Sequence, residues 1–131
     1  MIDGAARQRM QTRMYAGAFL ISAVLSTLPA LAQDANVKVI TMTIASSGAH
    51  KECLSLSNTQ SLRYWFRSEG PIDFNIQYQA ASGVVYAVKR DKLSMGTGSY
   101  AAKTADVHCM VLTNPAKKSA TVRLEFARVE R

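Results

Sequence analysis

Apolar and polar residues alternate with a period of two along most of the chain after residue 36, which is the spacing of a β-strand with one buried face. The clearest run covers residues 71–79, whose apolar positions are Ile72, Phe74, Ile76 and Tyr78. Clusters of Ser, Gly, Asn and Pro interrupt the alternation at short intervals, as turns do between strands. No later stretch has the spacing of an amphipathic helix. The pattern therefore predicts an all-β fold.

About eight short strands are predicted between these turns, at residues 37–44, 53–56, 60–67, 71–79, 84–89, 99–102, 107–113 and 121–129. Short antiparallel strands at this spacing are typical of a two-layer β-sandwich, in which each sheet buries one face. The run from Val84 to Lys89 is apolar enough to be covered on both faces, so we expect it to be a central strand or to lie in the interior of the sandwich.

The first 32 residues have a different pattern from the rest of the chain. Three arginines precede an uncharged apolar run over residues 15–28, and an Ala-Leu-Ala motif follows at residues 30–32. This layout predicts a signal peptide over residues 1–32, cleaved before Gln33. The alternative is a membrane anchor, but a helix of about 14 residues is only about 21 Å long, whereas the hydrocarbon core of a membrane is roughly 30 Å thick. Cleavage would leave one domain, residues 33–131, in the periplasm or outside the cell, without stable membrane insertion.

Two cysteines are present, Cys53 and Cys109. In an oxidising compartment, an even pair in a small exported domain usually forms a disulfide, so we predict a Cys53–Cys109 bond. Closing a loop of this length stabilises a fold by about 4 kcal/mol in the chain-entropy model. The alternative is a reactive or metal-binding cysteine.

The predicted mature domain is moderately basic. The chain has 16 Lys and Arg against 9 Asp and Glu, and removing residues 1–32 leaves 13 against 8, a net charge of +5. Basic residues form only small clusters, at residues 89–92 and 117–118. Such a charge suits contact with an anionic group but is also typical of a soluble surface. Because the charge is not gathered on one element and export removes the usual targets, we expect no nucleic-acid partner.

Several short motifs follow one another in a recognisable order. They are Cys53-Leu54, Asp73-Phe74-Asn75-Ile76, Val84-Val85-Tyr86, Gly98-Ser99-Tyr100, His108-Cys109-Met110 and Asn114. This order resembles the Golgi-dynamics (GOLD) domain over about residues 51–126. The resemblance implies a β-sandwich in which Cys53 and Cys109 join two strands, and a role in recognising other proteins instead of catalysis. Cargo transport is not expected, because the coiled coil, transmembrane helix and cytoplasmic tail of GOLD cargo receptors have no counterpart here.

Two stripes of side chains are candidate contact surfaces. Arg63, Trp65 and Arg67 alternate along one predicted strand, and guanidinium groups beside an indole can hold an anionic group or a sugar face. The other stripe consists of Asp73, Asn75, Gln77 and Gln79. Its polar groups can bind a glycan or the edge strand of a partner. The structural alternatives are an indole packed beneath another element and an ordinary solvated sheet face.

His50 and His108 lie close to the cysteines in sequence, so a disulfide would bring them towards one another. Imidazole is a suitable ligand for copper in an oxidising compartment. The alternative is a pair of ordinary histidines at a strand edge, and no cofactor is predicted.

The sequence contains no nucleophile-elbow serine motif and no His-Glu-x-x-His motif, so we do not expect an enzyme. The main prediction is a secreted or periplasmic, non-catalytic module with a GOLD-like sandwich. It would bind another protein or an anionic surface group through one of the two stripes. The alternative function is a small periplasmic copper-binding protein that uses His50 and His108.

Overall fold

The structure is a computed structural model that describes residues 36–131. The predicted signal peptide, residues 1–32, and its cleavage site before Gln33 lie outside the described residues. Within residues 36–131 the regular structure consists of β-strands, and no helix long and apolar enough to cross a membrane is present there.

Six antiparallel strands form one sheet. The sheet order is β1-β6-β3-β5-β2, and β4 pairs with β3. This arrangement confirms the predicted all-β fold class. The strands are β1 (Lys38–Ile44), β2 (Ala49–Leu56), β3 (Gln60–Ala80), β4 (Gly83–Ala101), β5 (Asp106–Thr113) and β6 (Ala120–Glu130).

The sheet curls on itself because β3 bends sharply near its middle. Residues 60–68 of β3 pair with β6, whereas residues 73–78 pair with β5. In a straight strand, Phe66 and Phe74 would lie about 26 Å apart. Their ring centroids are 5.1 Å apart, and the ring of Tyr64 is 4.7 Å from that of Phe74. The two halves of the sheet therefore face each other as the layers of a sandwich do.

Each half of the curled sheet contains four strand segments. The first half consists of β1, β6, residues 60–68 of β3 and residues 93–101 of β4. The second half consists of β2, β5, residues 72–80 of β3 and residues 83–90 of β4. The core lies between the two inner faces and includes Leu62, Phe66, Phe74, Ile76, Met110, Leu112, Val122 and Leu124.

The prediction of eight separate strands is wrong in number, because two predicted turns or loops lie inside strands. Residues 69–71 belong to β3, whose pairing with β4 shifts register between Arg67 and Ile72. Residues 90–98 belong to β4, where Lys92 has a left-handed φ of 57°. Proline, register shifts and a left-handed residue thus bend two long strands instead of ending them. Eight strand segments are present, but they belong to six strands.

Asn114 is buried near the bend of β3 and connects two of the segments that link consecutive strands. Its Nδ2 donates hydrogen bonds to the carbonyl oxygens of Ile44 (3.0 Å) and Lys118 (2.8 Å). Its Oδ1 accepts a hydrogen bond from the N–H of Ala116 (3.0 Å), and its own N–H donates to the carbonyl oxygen of Gly48 (2.9 Å). One fully buried residue therefore joins the link between β1 and β2 to the link between β5 and β6.

The expectation that residues 84–89 are covered on both faces is wrong. β4 pairs only with β3 and is an edge strand. Val84 is 50% exposed and Tyr86 is 58% exposed. An apolar run alone does not distinguish a strand buried on both faces from an edge strand whose outer face is apolar and open.

Candidate binding faces

The disulfide and the predicted polar row lie together on the outer face of the second half of the sheet. Cys53 and Cys109 are directly opposite each other on β2 and β5, with 4.0 Å between Cα atoms and 2.08 Å between sulfur atoms, which confirms the predicted disulfide. Gln77 lies between Cys109 and Tyr86 in register. We call this surface the disulfide face, and it comprises Lys51, Cys53, Asp73, Asn75, Gln77, Gln79, Val84, Tyr86, Lys89, Val107 and Cys109.

The disulfide face combines exposed apolar side chains with neutral amides. Tyr86, Val84 and Val107 are each at least half exposed, at 58%, 50% and 54%. Gln79 is exposed and Gln77 is half-buried. The part of the face away from the bend therefore offers an aromatic ring, two valines and two amides, and the ammonium of Lys89 lies 6.0 Å from the centroid of the Tyr86 ring.

The charged residues of this face lie next to the bend. Lys51 is opposite Val111, and Lys89 is opposite Asn75. The carboxylate of Asp73 accepts a hydrogen bond from the backbone N–H of Lys92 (2.9 Å), so it holds the bend of β4. Asp73 thus has a structural partner and the Oδ1 of Asn75 is buried, so Gln77 and Gln79 are the amides of the row that are open to contact.

The second predicted stripe lies on the outer face of the first half. Arg63 and Arg67 are exposed, and Trp65 between them is half-buried. In register, Trp65 lies between Glu125 of β6 and Thr97 of β4. We call this surface the arginine face, and it comprises Arg63, Trp65, Arg67, Met95, Arg123 and Glu125.

Opposed guanidinium groups distinguish the arginine face. Arg67 is directly opposite Arg123 on β6 and opposite Met95 on β4, and Met95 is 58% exposed. Arg123 forms an ion pair with Glu125 at 2.9 Å. The two candidate stripes therefore differ in chemistry and point away from each other, because the inner faces of the two halves meet in the core.

The structure does not bring the two histidines of the copper hypothesis together. His50 is opposite Leu112 and His108 is opposite Leu54, so they are four residues apart along the strand pair, or about 13 Å. His108 is fully buried, with its ring centroid 5.0 Å from that of Tyr78. Among residues 36–131, no group of three or more His, Cys, Asp or Glu residues is arranged to hold a metal ion.

A salt bridge connects edge strands β1 and β2. Lys38 Nζ lies 2.8 Å from Glu52 Oε1, and His50 Nε2 lies 3.3 Å from the other carboxylate oxygen. The hydrogen bond from Lys38 lowers the pKa of Glu52 below its ordinary value, against the opposing effect of burial. This bridge ties the two halves of the sheet together beside an open cleft of about 620 Å³ lined in part by Leu54 and Phe126.

Sequence reasoning missed the residues that flank each stripe on neighbouring strands. Alternation already places Arg123 on an outward position, because Val122 and Leu124 on either side of it are apolar. Val107 has no such signal, because its neighbours Asp106 and His108 are polar. Alternation does not say which residue of another strand lies alongside. That information is in the register, which a single sequence does not reveal.

No protein-family model matches the chain, and no curated protein sequence is similar to it at a significant level. Solved structures with a similar fold include those of two proteins. The Yersinia pseudotuberculosis-derived mitogen (YPM) has a TM-score of 0.55 and 10% sequence identity, over 70% of this chain and 85% of that chain. PliG of Aeromonas hydrophila, a periplasmic lysozyme inhibitor of g-type lysozyme, has a TM-score of 0.54 and 9% identity, over 72% of this chain and 87% of that chain. At such low identities, the likeness shows the fold alone, and the GOLD resemblance stays a prediction.

Proposed function

We propose that this chain is an exported, non-catalytic binding protein that recognises another protein through the disulfide face. The observation that carries the proposal is Tyr86, a tyrosine 58% exposed on an edge strand, with Val84 beside it and Gln77 opposite it. Large apolar side chains that are exposed together on one sheet face, outside a filled core, are typical of a binding surface.

The chemistry of this face suits a protein partner. The centres of protein interfaces are depleted in charged residues and enriched in aromatic ones, and tyrosine is a frequent hot-spot residue. Gln77 and Gln79 supply donors and acceptors beside the tyrosine, which favours specific contact over general stickiness. Because the Cys53–Cys109 bond joins neighbouring strands within the face, the surface is held in one shape before binding, which reduces the entropy lost on association.

The structural neighbours support a binding role and an exported location. One is named as a lysozyme inhibitor and the other as a mitogen, and neither name describes an enzyme. PliG is named as periplasmic, and a disulfide is stable in an oxidising compartment such as the periplasm. We therefore place the chain in the periplasm or outside the cell.

Photo-crosslinking tests whether the disulfide face contacts another protein. A benzoylphenylalanine would replace Tyr86 in one variant and Lys117, an exposed residue outside both faces, in a matched control. We expect a covalent adduct with another protein from position 86 and none from position 117. The adduct at position 86 should weaken when Val84→Asp places a charge on the face. No adduct at position 86, or the same adducts from both positions, would contradict the proposal.

A further inference from the structure

The arginine face contains an arrangement of charges that its own fold does not need. Arg67 and Arg123 are directly opposite each other on neighbouring antiparallel strands. Side chains in such positions have Cβ atoms about 5 Å apart, and like charges there destabilise a sheet. Within residues 36–131, Arg123 has an ion-pair partner in Glu125, and Arg67 has none.

The surroundings of the two guanidinium groups restrict the ligand. A cleft of about 390 Å³ lies between them and is lined by Arg67, Ser68, Glu69, Thr121 and Arg123. Because Glu69 borders this cleft and Glu125 already holds Arg123, a group that carries two negative charges at one point, as phosphate does, would meet repulsion from nearby carboxylates. The carboxylates of an acidic segment are spaced along its chain, so only one of them needs to enter the cleft. A singly charged, planar group fits better, since guanidinium and carboxylate groups form paired hydrogen bonds in one plane.

We propose that Arg67 and Arg123 together bind a carboxylate, and that the ligand is an acidic segment of a polypeptide. The neighbouring groups favour a side-chain carboxylate on a larger ligand, because Met95 and Trp65 supply apolar surface beside the cation pair. This site lies on the face opposite to the disulfide face, so it does not depend on the function proposed above. Binding relieves the repulsion between the two arginines by placing a negative charge between them.

The single tryptophan makes the site directly observable. Trp65 is the only tryptophan in the chain and lies two residues from Arg67 on the same face of β3. A blocked tetraglutamate peptide is the probe, a blocked tetraglutamine peptide is the neutral control, and tryptophan emission is recorded at low salt. We expect a saturable change with tetraglutamate that weakens at higher salt, and no saturable change with tetraglutamine.

Three variants locate the binding. Arg67→Gln and Arg123→Gln should each weaken tetraglutamate binding by about fivefold, the effect of removing one exposed ion pair. Lys89→Gln, which removes a positive charge from the disulfide face, should leave binding unchanged. Both arginine variants should keep the thermal midpoint of wild type or exceed it, because each removes one of two opposed like charges.

Three results would overturn the inference. The first is equal binding of tetraglutamine, which would show that charge is not recognised. The second is a loss in Lys89→Gln as large as in Arg67→Gln, which would show attraction to net positive charge only. The third is displacement of tetraglutamate by inorganic phosphate at lower concentration than by acetate, which would make the site one for phosphate instead of carboxylate.

Discussion

Replacement of Asn114 by alanine tests the account of how the sheet is held in its curled form. The side chain is fully buried and makes three hydrogen bonds, to the carbonyl oxygens of Ile44 and Lys118 and from the N–H of Ala116. Alanine removes all three and leaves their backbone partners facing a small cavity. The bond to Ile44 joins the end of β1 to the segment between β5 and β6, and the other two bonds fix the shape of that segment, so their loss loosens the contact between the two halves of the sheet.

The magnitude follows from the hydrogen bonds. A buried hydrogen bond contributes a net 0.5–1.5 kcal/mol, roughly, and leaving its partner unsatisfied costs more. For three bonds we expect Asn114→Ala to lower the free energy of unfolding by about 2–4 kcal/mol, part of the loss being offset where water reaches the Lys118 carbonyl. In a domain of this size, that change lowers the thermal midpoint by about 10–20 °C.

Urea unfolding with the disulfide intact measures the effect, since the linear dependence on denaturant gives the free energy of unfolding. Asn114→Asp keeps the shape but turns the Nδ2 donor into an acceptor, so it should be at least as destabilising. Asn58→Ala is the matched control at an exposed turn residue and should lie within about 0.5 kcal/mol of wild type. A change of less than about 0.5 kcal/mol in Asn114→Ala would refute the reasoning.

Three further predictions concern packing, charge and the disulfide. A Cβ added to Gly96 would clash with the Phe66 ring, so Gly96→Ala should lower the free energy of unfolding by about 1–3 kcal/mol in urea. A Cβ added to Gly70 meets no atom within 4 Å, so Gly70→Ala should lower it less. The folded-state pKa of Glu52 is lowered, so its ion pair with Lys38 stabilises the fold above the ordinary carboxyl pKa and this stabilisation is lost as pH falls through the lowered pKa. The difference in the free energy of unfolding between wild type and Glu52→Gln should therefore shrink between pH 7 and pH 3. A difference that persists at pH 3 would show that the Lys38 contact is not its source. Replacing both cysteines by alanine should lower the free energy of unfolding by up to about 4 kcal/mol, and an unchanged urea midpoint would show that the bond does not stabilise the fold.

The faces of the strands were predictable because the period of a β-strand is two residues. The alternation over residues 71–79 correctly separates inward Phe74 and Ile76 from outward Asn75 and Gln77. The disulfide was predictable from the number of cysteines and the compartment, without knowledge of the register.

The path of the long strands was not predictable from local signals. Gly70-Pro71 is a strong turn signal, yet β3 continues through it. Proline has no N–H to donate to a neighbouring strand, but the pairing of β3 with β4 is already interrupted there by a register shift, so no hydrogen bond is lost. The exposure of Tyr86 was missed for a related reason: β4 lies at the edge of the sheet, and the order of strands depends on long-range pairing.

The candidate sites show the same division between local and long-range information. The stripe of Arg63, Trp65 and Arg67 is predictable from one strand alone. Arg123 is 56 residues away from Arg67 in sequence and is placed opposite it only by the register of β3 and β6. Closeness in sequence was misleading for the two histidines, because the register places His50 and His108 four residues apart along the strand pair and His108 is fully buried.

The central claim is that a protein partner binds the disulfide face through Tyr86. Calorimetric titration of the partner identified by crosslinking tests it most directly, with wild type, Tyr86→Thr and Lys117→Thr compared under the same conditions. Threonine keeps the β-propensity of the position while removing the ring. We predict that Tyr86→Thr binds at least about tenfold more weakly, as expected for a hot-spot aromatic residue, and that Lys117→Thr binds as wild type does. Equal affinity of wild type and Tyr86→Thr would contradict the claim.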